Sequence, residues 1–442
     1  MVSKTTRDAA ILKPLDAQGL EERKERLKHE AHLQLVNGQS QFDDETLRLF
    51  GLDEHDDAKD SAPDHKDGKK NIDSTCDKRN SKLLRDFKIE DLDYGLGYTN
   101  ATYYITNQPG KQDKMDEATD ESKRLAVIRM YSQSLNGLLD RDLEKNVIER
   151  AFNLNIGPRL LFSSSKALCT EYINSFTLSL DEIVKPNALK LVIQTIAIFN
   201  AHTQIEKESN SMFSKMRKYI RNFGTETYSI GEKEFSLKRI SETIDFLEKV
   251  DAKLFTKDKF DFVIIHGDTN PTNLLFSGFD TKNLDSCENF DEFVDRGAKC
   301  YLVDYELWFY AANVYEIALF LYLICGFPRQ YPEQYLKDKD LLHELIRVYI
   351  TTYSKNRNKQ GLQVDNEVTD SDIQMYIKHI PYATLIFSYQ TFLFQSLFYL
   401  SKKSNINANL TVVAENRSYE ALYDELFGNK SFEDALESLE TQ

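Results

Sequence analysis

The segment Phe262–Phe276, FVIIHGDTNPTNLLF, runs an apolar strand into His266-Gly267-Asp268 and sets Asn273 five residues after the aspartate. Farther along, the apolar triplet Tyr301–Val303 delivers Asp304 in YLVDYE. Phosphoryl transfer asks for such a set, because its chemistry is mostly positioning and charge neutralisation. One carboxylate orients the attacking hydroxyl, while an amide oxygen and a second carboxylate hold Mg²⁺ on the phosphates. Asp268 would be the base, with Asn273 and Asp304 as metal ligands. An HGD tripeptide alone is a weak signal. The ordered set, each member at the mouth of an apolar strand, is a strong one, although singly Asp268 and Asn273 also read as a polar turn and Asp304 as a strand end.

The amino-terminal half supplies matching pieces. Asp93–Asn100, DYGLGYTN, is a glycine-containing turn ahead of a strand, where backbone N–H groups of Gly97, Thr99 and Asn100 can approach phosphates without Cβ obstruction. A lone GxG is usually just a turn. Arg129 lies in the apolar run VIRMY, and Glu144, in LDRDLE on the following helix, is a natural partner; the pair would order nucleotide phosphates. The competing reading leaves Arg129 on an edge strand and Glu144 on a solvated helix face.

Taken in order, GYTN (97–100), VIRMY (127–131), LDRDLE (139–144), NIGPRLLF (155–162), HGDTNPTN (266–273) and LVDYE (302–306) resemble the choline/ethanolamine kinase family, within the aminoglycoside-phosphotransferase and protein-kinase-like fold. The resemblance spans roughly Lys88 to Leu426. It implies an ATP-dependent phosphotransferase with Mg²⁺ as cofactor, acting on the hydroxyl of ethanolamine or choline in phospholipid head-group synthesis. It repeats the roles above for Asp268, Asn273, Asp304, Arg129 and Glu144. It also matches His202 to a helical histidine of such kinases, for which a structural role is expected. Family members often dimerise, so a homodimer stays open.

The chain departs from the family at the acceptor end. Members usually carry HND where this chain has HGD. Glu316 keeps a carboxylate of the next helix, but Leu323 stands where a later acid is expected, and Phe394 and Leu397 replace paired tryptophans. Those positions shape a cage for the substrate's cationic nitrogen, which gains most from several aromatic faces. Trp308, Tyr389, Phe394 and Phe398 could still build a weaker one, although core packing is the more usual role for each of them. Glu306 and Glu316 could hydrogen-bond a primary ammonium, which favours ethanolamine over choline. Two alternatives remain: a kinase for another small hydroxyl compound, such as an amino alcohol or sugar, and a non-catalytic binding module on the same fold. Retention of Asp268, Asn273 and Asp304 together speaks against the second.

The elements that must position these residues fit an α+β, two-lobed protein, with a small strand-rich first lobe and a larger, mainly helical second lobe. Of the 442 residues, 41 % are hydrophobic and 12 % aromatic, enough for a sizeable core in two lobes. Residues 1–83 read as an extension, with a charged amphipathic helix over 17–36 and a disordered Asp/Lys/Ser-rich linker over 53–82. Residues 84–180 form the expected nucleotide-binding lobe, 181–428 the catalytic and substrate-binding lobe, and 429–442 a tail. Strands are expected over 98–105 and 125–131 as a hairpin, and at 160–162, 168–173, 262–265 and 301–303. Helices are expected over 140–154, 187–206 and 240–254, and the acidic insertion 280–299 reads as a surface loop.

A net charge of −15 makes nucleic acid or anionic lipid a poor partner. Five scattered cysteines, Cys76, Cys169, Cys287, Cys300 and Cys325, indicate neither a disulfide framework nor a zinc site, and suit a reducing, cytoplasmic setting. The uncharged stretch Tyr382–Leu400 is long enough to span a bilayer, but its Ser, Thr and Gln content favours a buried core helix over an integral membrane segment.

Overall fold

The computed structural model describes residues 87–91, 101–107, 124–131, 139–165, 167–203, 211–222, 226–230, 233–284, 289–324, 339–362, 367–402 and 406–440. The expected helix at 17–36, the linker at 53–82 and the phosphate turn with Gly97, Thr99 and Asn100 lie outside the described residues, as do Cys76, Cys287 and Cys325. The described chain is mixed and mostly helical, and it divides into two compact units.

The first unit takes its described residues from those up to 131 and from 161–172. Its antiparallel core is built from β1 (Phe87–Asp91), β2 (Ala101–Asn107), β3 (Arg124–Met130) and β5 (Ala167–Glu171), with β4 (Leu160–Ser163) at the edge, in the order β1-β2-β3-β5-β4. The expected hairpin is present: β2 and β3 pair with Tyr103 opposite Ile128. Alternation along β3 buries Ala126 and Ile128 against Ala167 and Cys169 of β5. Burial pushes the Cys169 thiol up to about 12, so it is an inert packing residue. Arg129 is buried, with its guanidinium 6.0 Å from the Tyr131 ring centroid, within cation–π reach.

The second unit comprises 134–160 and 173–442. Helix α1 (Arg141–Asn153) starts at Asp140, whose side chain accepts from the Leu143 N–H at 3.1 Å. After the short α2 (Leu180–Ile183), α3 (Pro186–His202) buries most of its side chains and packs against α8 (Lys339–Lys359). Pro186 opens α3 at a position where its missing N–H costs nothing. Helix α4 (Met212–Arg221) precedes a small hairpin, β6 (Thr227–Ile230) and β7 (Lys233–Ser236), and then α5 (Leu237–Leu254).

Two two-stranded ribbons follow. β8 (Phe262–Ile265) pairs with β11 (Phe309–Ala312), and β9 (Leu274–Ser277) with β10 (Lys299–Leu302). The acidic insertion is more than a loop: α6 (Phe290–Asp295), capped by Asn289, buries Phe293 with its ring 4.8 Å from Phe279. A single buried aromatic among acids gives almost no periodic signal, so sequence reading missed it.

Helix α7 (Val314–Ile324) packs on α9 (Asp370–Lys402), which in turn packs on α10 (Ile406–Phe427). Residues 382–397 of α9 lie largely in the core, and no helix among the described residues is long and apolar enough to cross a membrane. Hydroxyls of that stretch bond their own helix: Thr384, Thr391 and Ser396 donate to the carbonyls of Ile380, Phe387 and Phe392.

The tail folds back as α11 (Phe432–Ser438). Phe432 stacks on Phe246 of α5 with centroids 4.3 Å apart, and the Arg239 guanidinium lies 4.3 Å from the Phe432 ring centroid. Phe432→Ala should therefore cost about 1–3 kcal/mol. Thermal unfolding should show a lowered Tm, with Phe432→Leu losing less.

Candidate active site

Within the second unit, β8 releases the chain at His266 and α3 holds that strand end. The Asn200 amide and the Thr203 hydroxyl both donate to the Ile264 carbonyl, at 3.1 and 3.3 Å, and Tyr349 donates to Asn200 Oδ1 at 2.8 Å. His266 is fully buried between the rings of Tyr305 and Phe199. Its Nδ1 accepts from the Asp268 N–H at 3.2 Å, so Nε2 carries the proton and donates to the Val303 carbonyl at 3.0 Å. One ring thus joins the turn that carries Asp268 to the strand end that carries Asp304.

Gly267 sits at φ +85°, and a Cβ there would lie 2.2 Å from the Leu307 carbonyl oxygen. Even an asparagine, which tolerates left-handed backbone, has no room. The departure from HND thus has a steric cause in this chain.

Asp268 accepts from Asn270 Nδ2 at 2.8 Å and from Asn273 Nδ2 at 2.9 Å. Burial, then the charges of Asp304 and Glu306, push its pKa up to about 7, against the lowering effect of those hydrogen bonds. Asn273 ends a 3-10 turn, Pro271–Asn273, and its carbonyl accepts the Val303 N–H at 3.1 Å. Its Nδ2 is spent on Asp268, donating to both the backbone carbonyl and the carboxylate at 2.9 Å. Asp304 holds a left-handed backbone, φ 66° and ψ 65°, uncommon for a non-glycine residue and typical of strained functional positions. An amide oxygen and a carboxylate are hard oxygen donors that fit Mg²⁺, whose remaining ligands would be phosphate and water oxygens. Among the described residues no cluster of three His, Cys, Asp or Glu is arranged to hold a metal, so a cage made wholly of such protein ligands is not offered there.

Glu144 is fully buried on α1 and takes an arginine that sequence reading passed over: Arg141 Nη1 lies 2.8 Å from Glu144 Oε2 and 3.0 Å from Glu306 Oε2. Glu306 is itself buried in the 3-10 turn Tyr305–Leu307. Glu316 is fully buried beneath the site, where its carboxylate accepts the His266 N–H. Burial pushes its pKa up to about 8, opposed by that bond. Trp308 is buried, as is Phe394, whose ring centroid is 5.6 Å from that of Tyr219 on α4. Tyr389 is buried with Phe392 and Tyr419 at 5.5 and 4.6 Å. The Phe398 side chain lies outside the described residues. His202 accepts the structural role expected of it, with Nδ1 2.9 Å from the Ile198 carbonyl oxygen.

Lys215 of α4 is the second residue that sequence reading missed. It is buried, and its Nζ donates to the carbonyls of Leu307, at 3.1 Å, and Trp308. In MFSKMRKYIR it is one of four basic residues, which reads as a solvated face.

Comparison with solved structures gives the class. A Plasmodium vivax ethanolamine kinase superposes with a TM-score of 0.54 at 13 % identity, covering 77 % of this chain and 82 % of that one. A Cryptosporidium parvum choline kinase gives 0.52 at 14 %, covering 78 % and 93 %. At such identity the likeness shows a shared kinase-like fold. Comparison with curated protein sequences returns no match. The profile of the choline/ethanolamine kinase family matches residues 95–420, and the chain belongs to that family.

Two substitutions test the geometry. Gly267→Ala forces a side chain into left-handed backbone against the Leu307 carbonyl, so chemical denaturation should show a loss of at least about 1–3 kcal/mol. Glu316→Gln keeps an acceptor for His266 N–H and mimics the protonated acid. Because the folded pKa of Glu316 stands above the ordinary 4.5, the wild type loses stability as pH rises from about 4.5 to about 8, while the unfolded state alone gives up its proton. The Tm advantage of Glu316→Gln should therefore be absent below pH 4.5, grow through that window and level off above it.

Proposed function

We propose that this chain is an ATP- and Mg²⁺-dependent kinase that phosphorylates the hydroxyl of a small amino alcohol, with ethanolamine favoured over choline. The observation that carries the reading is that the buried ring of His266 ties the Asp268 turn to Val303, next to Asp304, while Asn273 bonds both Asp268 and the Val303 N–H. Asp268 orients the acceptor hydroxyl and takes its proton as the oxygen attacks the γ-phosphorus, while the bond from that phosphorus to the β–γ bridging oxygen breaks and ADP leaves. Its position is held by two amides, so little reorganisation is needed at the moment of reaction. Asn273 Oδ1 and the Asp304 carboxylate would hold Mg²⁺. When bound, that ion neutralises phosphate charge and favours the carboxylate form of Asp268.

The nucleotide-binding roles of Gly97, Thr99 and Asn100, and of Arg129 and Glu144, rest on the family resemblance, as does the two-lobed arrangement. The preference for ethanolamine is supported by Leu323 and Leu397, which supply neither charge nor aromatic face at the acceptor end. The free, buried thiols of Cys169 and Cys300 suit a reducing compartment such as the cytoplasm.

ATP consumption by the purified protein, measured against ethanolamine, choline, other amino alcohols and simple sugars, tests the assignment. Turnover of ethanolamine with Mg²⁺ is expected. Asp268→Asn should keep the fold and lower kcat by roughly 10²–10⁴. Near-normal turnover in that variant removes Asp268 from the role, and ATP binding without turnover of any acceptor favours a binding module instead.

A further inference from the structure

The acceptor end contains a cation of its own. Trp308, Phe394 and Glu306 are the residues expected to surround a substrate's cationic nitrogen. Lys215 Nζ lies 5.2 Å from the Trp308 ring centroid, inside cation–π range, and donates to the carbonyls of Leu307 and Trp308. The Leu307 oxygen is also the atom that a Cβ on Gly267 would strike, so the lysine head group lies beside the turn that carries Asp268. One helical turn on, Tyr219 packs on Phe394, so a single face of α4 meets both aromatics of the expected cage. Burial and Lys218 lower the Lys215 pKa to about 7, while Asp140 and Glu306 raise it. A buried amine held there is a built feature, since an ammonium buried without partners is strongly unfavourable.

We propose that Lys215 determines acceptor specificity by filling the pocket's cation position with the protein's own amine, so that the acceptor is a small hydroxyl compound without a quaternary ammonium group. The inference rests on the kinase reading above for the identity of the pocket. A trimethylammonium group has no N–H to donate and gains only from aromatic faces around its whole volume. Lys215 takes one such face and adds bulk beside it, which a trimethylammonium group, having no N–H with which to use the remaining oxygens, cannot make good. A primary amine or a neutral hydroxyl compound is smaller and can use carboxylate or carbonyl oxygens, such as those of Glu306.

The test pairs kinetics with binding. Wild-type protein should phosphorylate ethanolamine while choline is neither a good substrate nor a competitive inhibitor. Lys215→Met keeps the chain length and removes the charge. It should raise kcat/KM for choline relative to ethanolamine by about tenfold or more. A folded Lys215→Met protein with an unchanged ratio overturns the inference, as does a wild-type protein that uses choline as well as ethanolamine. Should Lys215→Met fail to fold, choline inhibition of the wild type decides alone: competitive inhibition overturns the proposal and its absence supports it. Calorimetric titration with choline needs no turnover, so it separates this inference from the kinase reading. Binding to Lys215→Met but not to wild type supports the role of Lys215 even if no acceptor is phosphorylated, and equal binding to both overturns it.

Discussion

The site depends on the imidazole of His266. Both ring nitrogens are committed, one accepting from the Asp268 N–H and the other donating to the Val303 carbonyl. The strands that meet there belong to two separate two-stranded ribbons, each too small to be rigid by itself. The ring supplies the cross-link that the sheets lack, and the Val303–Asn273 backbone bond adds a second. Its own place is set by Glu316 below, by the aromatic faces of Tyr305 and Phe199, and by the α3 side chains that hold Ile264. Any side chain that makes only one of these bonds would leave a buried polar group unsatisfied, which costs about 1–3 kcal/mol before any effect on geometry.

Around that ring the chain concentrates charge. Asp268, Asp304 and Glu306 stand close enough for the other two to raise the Asp268 pKa, while Arg141 bridges Glu306 and Glu144. On the reading proposed above, a protein of net charge −15 would need local cations to receive a polyphosphate, and a metal–phosphate complex would complement the acids. Arg141 and Lys215 offset part of the field of these acids.

Family membership and divergence fall on different parts of the unit. The residues that fit phosphoryl transfer keep their order and are brought together, even though HGD replaces HND. The acceptor end has Leu323 half-buried and Leu397 buried, where the resemblance leads one to expect an acid and an indole, and Lys215 stands against Trp308. Phosphate and metal are the same in every such reaction, so the residues that meet them have little freedom. The acceptor varies, and the pocket varies with it.

How much could be read without coordinates follows the same division. Strands such as FVII, and helices with a cap and a strong apolar face such as 141–153, are encoded locally, so their positions were legible to within a few residues. The spacing Asp268–Asn273 within one turn is local too, and Asp304 was legible because its strand announces it. The linkage of these residues through His266 joins positions 37 apart, and Glu316 lies 50 residues from the N–H it accepts. Lys215 reaches carbonyls 92 and 93 residues away. No periodicity reports such contacts, because a lysine on an amphipathic helix carries the same letter whether its amine meets water or two carbonyls. The sequence by itself determined the class of chemistry and the elements that deliver it. Only the tertiary structure decided which charges are buried, which ring ties the site together and which carbonyls Lys215 meets, since these depend on burial and long-range packing rather than on local residue order.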